Sequence, residues 1–379
     1  MAAKHRVYLL PGFFGFANLG EVVYFGHVRN FLVDEFRSRG VDAEIHQVFT
    51  HPTASVRTRA RDLLATLAQT AGDDGGPIHF VGHSTGGLDA RLIVSPGADL
   101  GDLETLPPPE PYAKRVRSVI TAATPHRGTG LATFFSGLFG GRILALLSLF
   151  TVYVLRFGRV PLSLGFRLGG ALVRADRMLG WRDTIVDQLF DNLLRDFSPE
   201  RRTAIAAFLA QVSRDQSLVA QLTPQGMDLF NAGVTDRPGV RYGSVITQAR
   251  PPTLRSRMST GWDPYAQMTH NVYAFLYRRA DVRPAPPISD THRERLARGF
   301  GMTPAEAAND GIVPTLSQPW GEVIAAVWAD HLDVIGHFHD SRSTSTHIDW
   351  LLSATQFGLD EFTEVWTRVT DFMLDASGS

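Results

Sequence analysis

Gly82-His83-Ser84-Thr85-Gly86 is a G-x-S-x-G pentapeptide. The β-type run Ile78 to Val81 precedes it. Gly87 and an apolar-periodic stretch, with Leu88, Leu92 and Ile93 on one helix face, follow it. Strand, sharp turn and helix is the setting in which this pattern presents a serine hydroxyl on a tight bend. Small neighbours let the backbone fold closely around such a serine. A serine hydroxyl is a poor nucleophile near neutral pH. It needs an imidazole to take its proton and a carboxylate to fix the imidazole tautomer and stabilise its charge. In a strand–turn–helix setting of this kind the chain order is serine, acid, histidine, with the last two on loops after late strands. Asp310, in the turn Asn309-Asp310-Gly311, and His331, just beyond a strand-like run from Glu322 to Ala329, fit that order. His337, His339 and His347 compete for the base, and Asp263, Asp290 and Asp333 for the acid. The loop Gly12-Phe13-Phe14-Gly15-Phe16 follows the first strand. There the amide of Phe13 pairs with that of Thr85, directly after the serine, as two donors for a developing oxyanion.

These residues need a frame that brings both chain ends together. Residues 6–10 read as a buried strand ending at Pro11, Glu21 to Arg39 as a helix ending at Gly40, and Asp42 to Phe49 as a strand. Residues 53–71 are an amphipathic helix with Val56, Ala60, Leu63, Leu64 and Leu67 on one side. Further strands are expected at Val116 to Ala123, Val240 to Thr247 and Glu322 to Ala329. Residues 181–230 read as amphipathic helices, residues 249–309 as a long proline-bearing loop region, and 347–375 as one or two closing helices. Alternating strands and helices predict an α/β fold, with a mostly parallel central sheet flanked by helices.

The middle of the chain departs from this pattern. Between Pro111 and Ala175 there is no carboxylate against nine Lys or Arg, and Ile143 to Leu155 carries no charge at all. That uncharged run is shorter than the roughly 20 residues a spanning helix needs. The segment therefore reads as a buried helical subdomain, a mobile lid with an apolar face for a lipid surface, or a membrane anchor. A basic, apolar, carboxylate-free stretch suits an interface with anionic lipid through 131–175.

A net charge of −1 gives no electrostatic reason to expect nucleic acid as a partner. The absence of cysteine excludes disulfides, thiolate metal sites and a cysteine nucleophile. The first residues run from Met1 straight into a strand, with no apolar leader and small-residue cleavage site. The expectation is a cytoplasmic protein, or one whose leader lies outside this sequence.

Six segments in order carry a resemblance: Gly12-x-x-Gly15-Phe16-x-Asn18; Gly82-His83-Ser84-x-Gly86-Gly87; Thr124-Pro125-His126-Arg127-Gly128; Leu222-Thr223-Pro224-Gln225-Gly226; Asn309-Asp310-Gly311-x-Val313; and His331-Leu332-Asp333-x-Ile335. Together they resemble the bacterial true lipases, calcium-dependent triacylglycerol hydrolases of the α/β-hydrolase fold. The likeness covers most of the chain except 131–215. It implies an α/β-hydrolase core over 1–130 and 236–379, with a helical apolar lid or cap insertion over 131–235. It implies Ser84 as nucleophile, Asp310 as acid, His331 as base and the amides of Phe13 and Thr85 as the oxyanion hole. It also implies one structural Ca²⁺, held by the carboxylates of Asp290 and Asp333 and the carbonyls of His337 and Ser341. Hard oxygen donors suit that ion. Two positions depart from the pattern: Pro11 stands where a histidine is usual before the oxyanion-loop glycine, and Thr85 where a second histidine is common. The network holding the oxyanion loop must therefore differ.

The implied activity is hydrolysis of acylglycerol esters through an acyl-enzyme. A soluble carboxylesterase, a polyester hydrolase and an acyltransferase would use the same three residues. A non-catalytic lipid-binding relative would need none of them together.

Overall fold

The computed structural model describes residues 4–13, 24–103, 105–137, 147, 198–199, 202–203, 215–259, 262–338, 349 and 351–378. Most of the insertion expected to act as a lid or cap, together with Phe14 to Val23 and Ser341, lies outside the described residues.

Strand β1 (His5–Leu10) leads through helix α1 (Gly26–Ser38) to β2 (Ala43–Gln47). Helix α2 (Val56–Thr70), β3 (Ile78–His83), α3 (Gly86–Val94), the short α4 (Glu110–Ala113) and β4 (Val116–Ala122) follow. Then come α5 (Gly130–Phe135), α6 (Ser217–Gln221), α7 (Pro224–Gly233) and β5 (Arg241–Gln248). The chain continues through α8 (Leu254–Ser259), α9 (Pro264–Ala280), α10 (Asp290–Phe300), β6 (Glu322–Trp328) and α11 (Leu359–Gly378). The six strands pair in the order β2-β1-β3-β4-β5-β6, and every pairing is parallel. The central strands are covered on both faces, which is why β3 reads as a continuous buried run rather than an alternating one. This is the α/β-hydrolase fold.

Each face has its own core. On one face α1 and α11 pack against the sheet through Val28, Leu32, Phe36, Phe362, Val365, Trp366, Val369 and Met373. The three- and four-residue spacing of the α11 positions is what lays a single helix stripe onto a sheet. On the other face α2 and α3 bury Val56, Ala60, Leu63, Leu64, Leu67, Leu88 and Val94. Helices α5, α6 and α7 pack against these cores through Leu131, Phe135, Val219, Leu218, Leu222 and Met227.

The expected long loop at 249–309 is not a loop: it holds α8, α9 and α10. Its prolines mislead because they cluster between the helices, at Pro251, Pro252, Pro284, Pro286 and Pro287, or open one, as Pro264 does at the first position of α9. Proline is tolerated there because that residue's amide has no partner within the helix.

Candidate active site

The pentapeptide forms the predicted bend between β3 and α3. Ser84 has φ 54°, a left-handed conformation that costs a non-glycine residue about 1–3 kcal/mol and persists where its surroundings impose it. Those surroundings are tight. A Cβ on Gly86 would lie 2.2 Å from the Leu10 carbonyl oxygen, so the start of α3 is pressed against the end of β1. A Cβ on Gly12 would lie 2.5 Å from that of Ser84, so the loop after β1 lies directly over the serine. Helix α3 begins immediately after Ser84, which directs the positive end of its dipole toward this point.

Asp310 is fully buried, and its carboxylate oxygens serve as hydrogen-bond acceptors on both sides. Oδ1 accepts from the amides of Ile312 at 2.9 Å and Val313 at 2.7 Å. Oδ2 accepts from the Thr247 hydroxyl at 2.8 Å and the Gln318 amide at 3.3 Å, and lies 2.9 Å from His331 Nδ1. The His331 amide also donates to the Asp310 carbonyl at 3.0 Å. A carboxylate facing Nδ1 requires the N–H there, which leaves Nε2 with a free lone pair. Among the described residues, Asp310 and His331 are the competing carboxylate and imidazole that the fold joins; His339 and His347 lie outside the described residues.

Ser84, Thr85, Phe13 and His331 line one cavity, walled mostly by apolar side chains such as Leu131, Phe135, Val219, Leu276 and Val313. Thr85, where a histidine was a common alternative, has a buried hydroxyl without a hydrogen-bond partner.

Two buried networks answer the question raised by Pro11, and neither was read from the sequence. In the first, His83 Nε2 lies 2.7 Å from the His331 carbonyl and its Nδ1 lies 2.6 Å from the Tyr24 hydroxyl. Burial, reinforced by nearby His331, pushes the His83 pKa well below its usual value, so the ring is neutral. A carbonyl can only accept, so Nε2 carries the proton, Nδ1 accepts from Tyr24 and the Tyr24 oxygen accepts the Gly12 amide at 3.1 Å. One chain of bonds thus links the loop over the serine, the residue before the serine and the histidine loop. In the second, Arg59 of α2 binds Asp89 of α3, with Nη2 to Oδ2 at 2.7 Å, and donates from Nη2 to the Pro11 carbonyl at 2.6 Å. Both side chains are fully buried. Burial raises the Asp89 pKa to about 6 even though Arg59 opposes the shift. His83 was visible as part of the pentapeptide, but nothing local marks Tyr24 as its companion or Arg59 as the partner of Asp89 and Pro11.

The residues around the expected calcium ligands are arranged differently from the expectation. Asp333 is buried, and its carboxylate gathers with those of Asp330 and Asp349, one oxygen from each lying within 4.8 Å of the others. Asp290 is not in this group. It is exposed at the first residue of α10, where a carboxylate suits a helix N-terminus. His337 is buried with its ring nitrogen 3.2 Å from the Tyr24 carbonyl, and Ser341 is outside the described residues. Asp330 Oδ2 accepts from Ser353, and Asp333 Oδ2 accepts from Thr355, both at 2.7 Å. Asp349 Oδ1 is buried without a partner. Burial is the leading cause that raises all three pKa values, Asp330 to about 7. Three carboxylates with an orphaned oxygen fit a hard divalent cation. The pattern Asp330-x-x-Asp333 was the available signal; Asp349 stands alone in the sequence.

No known sequence family matches the chain, and no curated protein matches it. Solved structures do. EstA from Clostridium botulinum superposes with a TM-score of 0.50 at 17% identity, covering 95% of this chain and 90% of that one. Lipase 1 from Pelosinus fermentans gives 0.49 at 18%, covering 94% and 100%. A metagenomic carboxyl esterase gives 0.48 at 16%, covering 99% and 77%. At such identities the likeness to EstA speaks for the fold, which is that of the α/β-hydrolases.

Proposed function

We propose that this chain is a serine hydrolase of carboxylic esters, with acylglycerols as its substrate class. The observation that carries the reading is the 2.9 Å contact between buried Asp310 and His331 Nδ1, at an apolar cavity shared with a serine in a left-handed bend. His331 Nε2 takes the proton as Ser84 Oγ attacks the ester carbonyl, and Asp310 stabilises the imidazolium. The amides of Phe13 and Thr85 receive the oxyanion. His331 returns the proton to the leaving alcohol, and water repeats the sequence on the acyl-enzyme. The largely apolar cavity wall offers an acyl chain a place to lie. A fluorophosphonate probe should label the protein stoichiometrically at Ser84, read by peptide mass. Labelling elsewhere, or none, removes Ser84 from this role.

Tyr24 is assigned a positioning role. Tyr24→Phe deletes the donor to His83 and the acceptor for the Gly12 amide, leaving buried groups unpaired at about 1–3 kcal/mol each. Because the oxyanion forms only in the transition state, the loss is expected in kcat, about tenfold or more, with KM for p-nitrophenyl butyrate little changed. An unchanged kcat would reduce the network to a structural one.

Asp330, Asp333 and Asp349 would hold the divalent cation, which neutralises their charge and fastens the segment after His331. Saturating Ca²⁺ at about 100 times its dissociation constant stabilises by about 2.7 kcal/mol. EDTA should lower the melting temperature accordingly, and Asp349→Asn should abolish the difference. A melt indifferent to both would leave the three acids as a protonated cluster.

A further inference from the structure

The structure turns one helix inside out. In α8, Ser256 faces the protein: it is buried, exchanges bonds with Thr253 and sits 3.5 Å from His270 Nε2 on α9. Leu254 and Met258, four residues apart and so on one helix face, are 81% and 73% exposed, and Trp262 just beyond is 93% exposed. A helix at a water-facing surface normally has the opposite arrangement. Single exposed apolar residues are ordinary, but three large ones within nine positions form a patch of the kind that meets something.

Along the chain up to Trp262 the charges are all positive, and an exposed Asp263 follows directly. From Ala249 to Trp262 the chain carries Arg250, Arg255 and Arg257 and no carboxylate before Asp263. Arg250 lies over the Trp328 ring at 5.6 Å, and Arg257 Nε donates to Gln267 at 2.8 Å. The exposed Arg250 and Arg257, close in the chain to Leu254, Met258 and Trp262, match a surface with anionic phosphates outside and hydrocarbon beneath, and tryptophan favours that boundary. Among the described residues no helix is long and apolar enough to cross a membrane, so the contact would be made at the surface. The patch also has a direction. It follows the carboxyl end of β5, and because the sheet is parallel this is the end where Ser84 follows β3 and His331 follows β6.

We infer that Leu254, Met258 and Trp262, with Arg250 and Arg257, form a docking surface for anionic lipid bilayers, at the same end of the sheet as Ser84 and His331. The binding needs no ester hydrolysis and stands apart from the catalytic reading.

The test is flotation of the full chain with vesicles of non-hydrolysable ether lipids, either phosphatidylcholine alone or phosphatidylcholine with one quarter phosphatidylglycerol. The comparison is with the triple variant Leu254→Glu, Met258→Glu, Trp262→Glu. Wild type should float with the anionic vesicles and much less with the neutral ones. Losing three apolar insertions should weaken binding by about 30-fold or more. The thermal melt should be unchanged, which shows that the variant is folded. Equal binding by the triple variant, or no binding by the wild type, overturns the proposal. Equal flotation on neutral vesicles overturns the role of the arginines. A wild type that is dimeric and a variant that is monomeric in solution would assign the patch to a second copy of the chain instead.

Discussion

Ser84→Ala is expected to lower kcat for p-nitrophenyl esters by about 10⁵- to 10⁶-fold, with the folded state intact. The alanine removes the nucleophile, keeps the Cβ that the bend with φ 54° already accommodates, and adds no atom to a site already in close contact with Gly12. The cavity, the amides of Phe13 and Thr85 and the bond between Asp310 and His331 are untouched, so residual rate should come from the oxyanion donors and from binding. Asp310→Asn is expected to cost about 10⁴-fold by a different route. An amide nitrogen facing His331 Nδ1 favours the tautomer with the proton on Nε2, which then cannot accept one from serine. Ile312 and Val313, whose amides donate to Oδ1, still find an acceptor if the amide oxygen takes that place. The Asn variant should therefore melt close to wild type. Full activity of the alanine variant, measured with protein free of host esterases, would sink the mechanism.

Arg59→Leu carries the largest expected change in stability, about 3–5 kcal/mol, because it leaves Asp89 buried without its partner. The loss should depend on pH in a stated direction. Asp89 already has a folded pKa of about 6, above its unfolded value of 3.8, so its contribution to stability is present below about pH 4 and is lost as pH rises through 6. Without Arg59 the folded pKa rises further, and the variant recovers stability on acidification over a wider range. Urea melts at pH 7.5 and pH 5 should show a smaller gap between variant and wild type at pH 5. A gap that widens there would mean the pair contributes something other than charge compensation. Because Arg59 also holds the Pro11 carbonyl, folded variant protein should be catalytically slower as well.

The centre of the sheet was legible because its strands are buried on both sides and appear as short apolar runs bounded by turn residues. Asp310 and His331 were legible as the best-placed candidates through chain order, with rivals left open; the contact between them is a matter of distance, and distance is not written in sequence. The helices at 249–309 were missed because proline density was read as loop, whereas the prolines stand at helix starts and joints. Tyr24 and Arg59 were missed for a different reason: each acts on the site through buried bonds to residues distant in the chain. The acidic cluster was half visible. Asp333 followed from resemblance, but Asp349 joins it only in three dimensions, and Asp290 was drawn away to a helix end.

The bond from His83 to the His331 carbonyl spans 248 residues. During synthesis the serine bend emerges with the first half of the chain, among strands that can pair at once, while the acid and the base are still unmade. Long-range pairings form late because their loop entropy must be overcome before the contact stabilises anything. A nascent or prematurely ended chain would then display a serine bend with no means of activating it. Refolding followed by two clocks, tryptophan fluorescence for the core and ester turnover for the site, should find the second running behind the first.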